Sequence, residues 1–299
     1  MAGPRRPARG STTSDLDALW DYSDPGVSER RFRRFIQHLK NASNPTLRAE
    51  ALTQLARAEA LQGKFPAAHQ TLDQLLPRLS ALTPRAKTRY LLERGRVFNS
   101  GGAPRKALPL FLRAWRVARG LRDDPLAVDA AHMVAIVKTG TDKRRWNKKG
   151  LELAERSADP NARRWRASLL NNIGWSQFDS GEYARALRSF RRALRYRHQQ
   201  KNVTEIRIAR WCVAKTLRLM GRTQEALRWQ RRLLQEWVGA RRKDGYVFEE
   251  LGECLLALGR RREASGFFGK AYAELSKDRW LARNESKRLN RLRRLGRSQ

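Results

Sequence analysis

The sequence predicts an all-α protein, an α-solenoid of about six helix pairs with a capping helix at each end. Two observations carry this prediction. Apolar residues recur at helical spacing over much of the chain, and short glycine-containing segments interrupt them at nearly constant intervals. The intervals are 38 to 40 residues, or 79, about twice that number, between Gly63, Gly102, Gly181, Gly221 and Gly259. The interval of 79 leaves room for a degenerate pair around Gly140.

The clearest unit runs from Leu169 to Leu194 and reads as a helix, a tight turn at Gly181 and a second helix. Gly174 and Ala186 are small, so the backbones of two antiparallel helices can approach closely there. Phe190 is expected to fill the gap to the next pair. The unit is therefore a helical hairpin that buries one side and needs neighbours to cover the other.

This arrangement of small and large residues resembles the tetratricopeptide repeat, and the long units of 38–40 residues are similar to those of bacterial-type members of that superfamily. The resemblance implies a right-handed array in which first helices line a concave groove and second helices form a convex back. The predicted units are approximately residues 49–80, 86–119, 126–157, 166–200, 205–238 and 245–277.

The two ends of the chain differ from the repeats. Residues 1–14 are rich in Pro, Arg and Gly and are predicted to be disordered, whereas residues 15–299 are predicted to form a single solenoid domain. Capping helices are expected at about 28–40, with Ser28 at the helix start, and at about 278–296. The second cap would cover the last repeat with Trp280, Leu281, Leu289, Leu292 and Leu295.

The chain is strongly basic. It carries 64 Lys and Arg against 29 Asp and Glu, a net charge of +35, and Arg outnumbers Lys by 50 to 14. Two interpretations are open: a surface for nucleic acid or another polyanion, or a compositional bias that places Arg on solvated helix faces. No window approaches 18 consecutive apolar residues, so no membrane span is predicted, and a cytoplasmic location is the default for this composition.

No motif for catalysis, metal or cofactor binding is recognisable, so the chain is expected not to be an enzyme and to need no cofactor or metal. His132 is expected to be a hydrogen-bonded structural residue, and Cys212 and Cys254 small core residues. The function expected is that of a scaffold or adaptor whose groove binds a peptide or a partner protein. The alternatives are a basic solenoid that binds nucleic acid or a ribonucleoprotein, and the sensor module of a signalling system.

The resemblance places the ligand-binding positions on the first helices. Besides Leu92 and Phe178, the candidate groove residues are Arg89, Arg96, Asn99, Asn171, Trp175, Trp211, Lys215, Arg218, Tyr246, Glu249 and Glu253. Two roles are open for Trp175 and Trp211, either contact with a partner or packing between neighbouring helices.

The charged clusters on first helices and on second helices lead to different predictions. The acidic cluster Glu249, Glu250 and Glu253 is expected either to neutralise arginines of the neighbouring repeat or to bind a basic group of a partner. The neighbouring arginines are Arg207, Arg210 and Arg218. On a second helix, steps of three, four and three residues place four arginines in one stripe, either solvated or a polyanion-binding ridge. They are Arg185, Arg188, Arg192 and Arg195.

Overall fold

The computed structural model describes residues 16–39 and 44–297 of the chain. Regular secondary structure in those ranges is helical throughout, which confirms the all-α prediction. The chain divides into two compact units, residues 1–165 and 166–299, and each unit has its own apolar core. The single domain over residues 15–299 stays a prediction. The expected disorder of residues 1–14 lies outside the described residues.

Unit 1 contains three helix pairs. Helix α1 (Pro25–His38) packs on the first of them, and a short helix α8 (Pro160–Arg163) follows the last. A 3-10 helix (Leu76–Ala81) connects the first pair to the second. The pairs are α2 (Pro45–Leu61) with α3 (Phe65–Asp73), α4 (Pro84–Ser100) with α5 (Pro104–Gly120), and α6 (Asp124–Val137) with α7 (Gly140–Arg156).

Unit 2 contains the other three pairs and two closing helices. The pairs are α9 (Arg166–Asp179) with α10 (Tyr183–Gln200), α11 (Val203–Leu219) with α12 (Thr223–Gly239), and α13 (Gly245–Ala257) with α14 (Arg261–Leu275). The closing helices are α15 (Arg279–Asn284) and α16 (Ser286–Leu295), and α16 packs on α14. The six predicted helix pairs are therefore present within the described ranges.

Glycines set the geometry of a helix pair at two places. Gly181, in the turn, has φ +76°, a left-handed conformation that side chains with a Cβ rarely adopt. Gly174, inside α9, lies against the ring of Phe190, and a Cβ built on Gly174 would lie 2.6 Å from that ring. Phe190 thus fills the space inside its own helix pair, and its expected role in filling the gap to the next pair stays a prediction. Ala186 is fully buried, as predicted.

Helix α1 begins three residues earlier than expected. The carboxylate of Asp24 accepts hydrogen bonds from the first two free amides of the helix, at 2.9 and 3.1 Å. Pro25 takes the first helical position. Its fixed φ matches that of an α-helix, and its missing N–H removes no hydrogen bond, because the first amide of a helix has no acceptor within the helix. Ser28 is not the N-cap: it lies inside the helix, buried, and its hydroxyl donates to the carbonyl of Asp21 at 2.9 Å.

The expected C-terminal capping helix at about 278–296 is two helices, α15 and α16, separated at Glu285. Leu281, Leu289 and Leu292 are buried, as predicted. Trp280 is 61% exposed, so its predicted role in covering the last repeat is wrong. Because Asp278 caps the amides of Trp280 and Leu281, α15 starts here, and Leu281 takes the inward position instead of Trp280.

Candidate partner-binding surface

Three aromatic side chains from successive first helices of unit 2 form a row. Trp175 on α9, Trp211 on α11 and Tyr246 on α13 have ring centres 6.1 and 6.0 Å apart along it. The indole N–H of Trp211 also donates to the main-chain carbonyl of Tyr246 at 3.1 Å. The two tryptophans are half-buried and Tyr246 is 38% exposed. This aromatic row therefore packs between neighbouring helices and stays partly exposed to solvent, whereas contact of the two tryptophans with a partner stays a prediction.

Cations from the same unit lie over the aromatic row. The ammonium of Lys215 is 5.0 Å from the centre of the Trp211 ring, and the guanidinium of Arg288 is 5.3 Å from that of Tyr246. Such contacts stabilise the ring positions by roughly 0.5–1 kcal/mol each where the site is exposed. The rings are thus held in place before any partner arrives.

The acidic cluster of α13 is neutralised within unit 2. Glu250 accepts from Lys215 at 2.6 Å and from Arg218 at 2.8 Å, so the expected counter-charge role is confirmed for Arg218. Glu249 accepts from Arg288 at 2.9 Å, and Glu253 pairs with Arg291. Both of these arginines belong to α16.

Arg207 and Arg210, the other two candidates for this counter-charge role, pair elsewhere. Both side chains pair with Glu236 of α12, Arg207 at 3.5 Å. The two arginines lie in the first half of α11, and in an antiparallel helix pair that half meets the end of the second helix, where Glu236 is located.

The charge of Glu250 is fixed by its partners. Burial raises the pKa of this carboxyl group, but the hydrogen bond from Arg218 and the charge of Lys215 outweigh burial and hold the pKa below its ordinary value. Glu250 is therefore ionised at neutral pH and keeps both cations in place along the aromatic row.

Asn171 and Phe178 lie at the edge of the same surface on α9. The carboxamide oxygen of Asn171 accepts a weak hydrogen bond from the thiol of Cys212 at 3.8 Å. The ring of Phe178 is half-buried and 5.0 Å from that of Trp175. The six predicted residues on α9 and α11 are thus together on one face of unit 2.

The predicted groove residues of unit 1 belong to a separate ion-pair network. Arg89 pairs with Glu50 at 3.2 Å, Arg96 pairs with Glu93 and Asp129, and Asn99 is half-buried near the end of α4. Burial lowers the pKa of Arg96, but the charges of Asp129 and Glu93 outweigh burial and hold the pKa above its ordinary value. Leu92, also expected in the groove, is buried in the core.

His132 lies beside this network. Burial, with the charges of Arg96 and Arg57, lowers the pKa of His132 to about 4 although Asp129 acts in the opposite direction. The imidazole is therefore neutral at physiological pH, which agrees with the structural role predicted for it.

The four arginines of the predicted stripe are all exposed on α10, as their spacing predicts. Arg185 pairs with Glu182 at 2.6 Å, one turn before it in the chain. The stripe faces away from the pair's buried Ala186 and Phe190.

Arg288 and Arg291 were not among the functional residues predicted from the sequence. Their spacing of three residues places both on one face of a helix, but only the docking of α16 shows that this face meets the acidic cluster of α13. The sequence did contain one signal for this pairing: two arginines three residues apart near the end of the chain, and an acidic cluster on α13.

The described part of the chain offers little for reaction chemistry. Cys212 and Cys254 are buried as predicted, and burial raises the pKa of each thiol to about 12, so both stay protonated. Within the described ranges, no three side chains of the His, Cys, Asp and Glu types are placed to hold a metal ion. In the same ranges, every helix is too short or too polar to cross a bilayer.

Comparisons with known proteins agree with this fold. The chain aligns with a Signal Transduction ATPase with Numerous Domains protein with a tetratricopeptide repeat sensor from Pyrococcus horikoshii (TM-score 0.70, 12% identity, 93% of this chain). It spans only 45% of that protein's length. It also aligns with apo RapI (TM-score 0.69, 12% identity, 89% of this chain and 77% of that one). A third structure is NprR in complex with its cognate peptide NprX (TM-score 0.56, 16% identity, 97% and 84%).

At these identities the likeness shows the fold alone. No curated protein sequence matches the chain. Residues 166–199, which form the pair α9 and α10, match the sequence profile of the tetratricopeptide repeat. The glycine–phenylalanine contact described for this pair recurs at Gly252 and Phe268, where a Cβ on the glycine would lie 2.8 Å from the ring. One helix pair of the chain thus matches the tetratricopeptide repeat in sequence, and the fold of the chain is similar to that of proteins built from such repeats.

Proposed function

We propose that the chain is a non-enzymatic adaptor, and that the first-helix face of unit 2 binds a peptide segment of a partner protein. The observation that supports this most is the aromatic row of Trp175, Trp211 and Tyr246, in which helices and internal cations hold three large, partly exposed side chains in place. Aromatic side chains held in this way lose little entropy on binding, and they dominate the energy of many interfaces.

The aromatic row favours a ligand with apolar or aromatic side chains. The cations beside the row are neutralised by Glu250 and Glu249, so a carboxylate of the ligand would have to compete with carboxylates already in contact. Apolar contact with the rings carries no such cost. The structure of NprR with its cognate peptide provides a precedent for peptide binding on a similar fold.

The test starts from a displayed library of random peptides selected on the immobilised full-length protein. The best synthetic peptide is then titrated in solution, by fluorescence anisotropy of a dye on the peptide. Trp211→Ala is expected to weaken binding at least tenfold, because Trp211 contacts both other rings and truncation of a central aromatic residue costs about 2 kcal/mol or more.

The matched control is Trp280→Ala, which removes an exposed indole outside the aromatic row and is expected to change the affinity less than twofold. A far-ultraviolet spectrum checks that both variants keep their helices. If the selected peptides bind the Trp211 variant as tightly as the parent, this surface is not the binding site. If the selection yields no peptide that binds in solution, the proposal of peptide binding fails.

A further inference from the structure

The outer faces of the second helices α10 and α12 are basic. Of the sixteen exposed residues on these two helices, eight are arginine and none is Asp or Glu. The exposed arginines are Arg185, Arg188, Arg191, Arg192, Arg195, Arg228, Arg231 and Arg232. Residues 166–299 hold 32 Lys and Arg against 13 Asp and Glu, so the imbalance on these helices exceeds that of the unit as a whole.

Four of these arginines have no carboxylate partner among the described residues. They are Arg188 and Arg195 on α10 and Arg228 and Arg232 on α12, and we refer to them as the basic face. The first-helix surface of the same unit is different, because its cations are matched by Glu249, Glu250 and Glu253.

The two helices are neighbours, so the basic face is one surface. Arg191 of α10 and Glu225 of α12 approach to 3.8 Å and join the helices side by side. Along α10, Arg188 and Arg195 are seven residues apart, about 10 Å at the rise of an α-helix. Guanidinium groups thus lie along two adjacent helices, with spacings that span several phosphates of a nucleic-acid strand.

We propose that the basic face binds the phosphate backbone of double-stranded nucleic acid, independently of base sequence. Arginine matches this ligand because its planar guanidinium donates two parallel hydrogen bonds to a phosphate. None of the exposed residues of α10 and α12 is Trp, Tyr or Phe, so the large aromatic rings on which single strands stack are not among the exposed residues of this face. Double-stranded DNA and double-stranded RNA carry the same phosphate chemistry.

The test measures binding of the full-length protein to a fluorescent 20-base-pair duplex, as DNA and as RNA, between 50 and 200 mM salt. If the four arginines each contact a phosphate, log affinity falls with log salt at a slope of about −3.6, which corresponds to an approximately 100-fold loss over this range. Arg188→Gln, Arg195→Gln, Arg228→Gln and Arg232→Gln combined are expected to remove most of this slope and to weaken binding at 50 mM at least tenfold.

The control variant removes the same formal charge from unit 1. Lys143, Arg145, Lys148 and Lys149 on α7 are changed to Gln together. Arg145 and Lys148 lie beside Asp142 and Glu152, so this helix mixes cations with carboxylates, and its variant is expected to change duplex binding less than twofold.

The proposal is overturned by the absence of duplex binding at 50 mM salt, by equal losses in the two variants, or by poly-glutamate binding as tight as duplex binding. The last result would identify an acidic protein as the partner. Tighter binding of a single strand of equal length would also contradict it. Because Trp211 lies on first helix α11, outside the basic face, Trp211→Ala separates this test from that of peptide binding.

Discussion

At the scale of the residue, the tightest contact of a helix pair joins a glycine of the first helix to a phenylalanine sixteen positions later. This contact occurs in three pairs, at Gly95, Gly174 and Gly252, each with its phenylalanine fully or almost fully buried. A side chain at the glycine would occupy the position of the ring. The contact therefore fixes how closely the two helices approach.

Gly174→Ala is expected to destabilise the protein by about 1–3 kcal/mol, because the added Cβ would lie 2.6 Å from the ring of Phe190 and one of the two must move. Urea unfolding followed by circular dichroism measures the change. Gly266→Ala is the control: Gly266 lies in α14 with no atom near its missing Cβ, so alanine is expected to stabilise by about 0.5–1 kcal/mol. Equal effects of the two substitutions would contradict the packing explanation.

Glu250→Gln is expected to destabilise the protein at pH 7 by about 3 kcal/mol, because two cations lose their shared, buried counter-charge. The pKa of Glu250 in the folded protein is below the ordinary 4.5, so its stabilisation is complete above that pH and is lost as the pH falls through the lower, folded value. The difference in the free energy of unfolding between the parent and the Glu250→Gln variant should thus become smaller below about pH 4.5.

Urea unfolding at pH 7, 5 and 3.5 measures this difference. Glu152→Gln, on the exposed side of α7, is the control and is expected to leave stability nearly unchanged at each pH. A gap between the parent and the Glu250 variant that stays constant down to pH 3.5 would mean that Glu250 does not stabilise the fold through its charge.

At the scale of the element, two helix pairs have alanine at the position of the glycine and a polar residue at the position of the phenylalanine. Gln230 on α12 and Asn147 on α7 occupy the position of the phenylalanine, sixteen residues after Ala214 and Ala131. Both polar side chains are fully buried, with no hydrogen-bond partner among the described groups of the protein. These pairs gain less from packing than their neighbours, because burial of a polar group without a partner costs free energy.

Gln230→Phe alone is expected to destabilise the pair α11 and α12 by about 1–3 kcal/mol, because the ring would meet the methyl group of Ala214. Gln230→Phe together with Ala214→Gly reproduces the combination found at Gly174 and Phe190, and it should recover that loss. Thermal unfolding of the parent, both single variants and the double variant gives the coupling between the two positions. Additive effects would show that the two side chains do not meet.

The helices themselves were predictable, and several of their ends and contacts were not. Turn glycines and apolar spacing are local signals, so they identify six helix pairs without knowledge of what packs where. The start of α1 at Pro25 in place of Ser28 depended on two competing caps within a few residues. The exposure of Trp280 could not be predicted without knowing where α15 begins. The pairing of Arg207 with Glu236 could not be predicted without knowing how α12 packs against α11.

At the scale of the whole molecule, some cations of unit 2 are paired with carboxylates and others are not. Carboxylates of α13 neutralise the cations of first helices and of α16, whereas the outer faces of α10 and α12 keep arginines without such partners. The net charge of +35 predicts an abundance of exposed cations but not this separation, because it depends on which helices become neighbours. The two proposed binding surfaces of unit 2 follow from it.

The position of α13 between two basic helices has a consequence for folding. Helices with similar apolar stripes can dock in the wrong order, a known hazard of repetitive chains. Were α16 to dock beside α11 in place of α13, Arg288 and Arg291 would face Lys215 and Arg218 without a carboxylate between them. Repulsion raises the free energy of this misdocked arrangement, and the correct order restores four ion pairs. The carboxylates of α13 thus favour the native order of the helices over the order in which α16 docks beside α11.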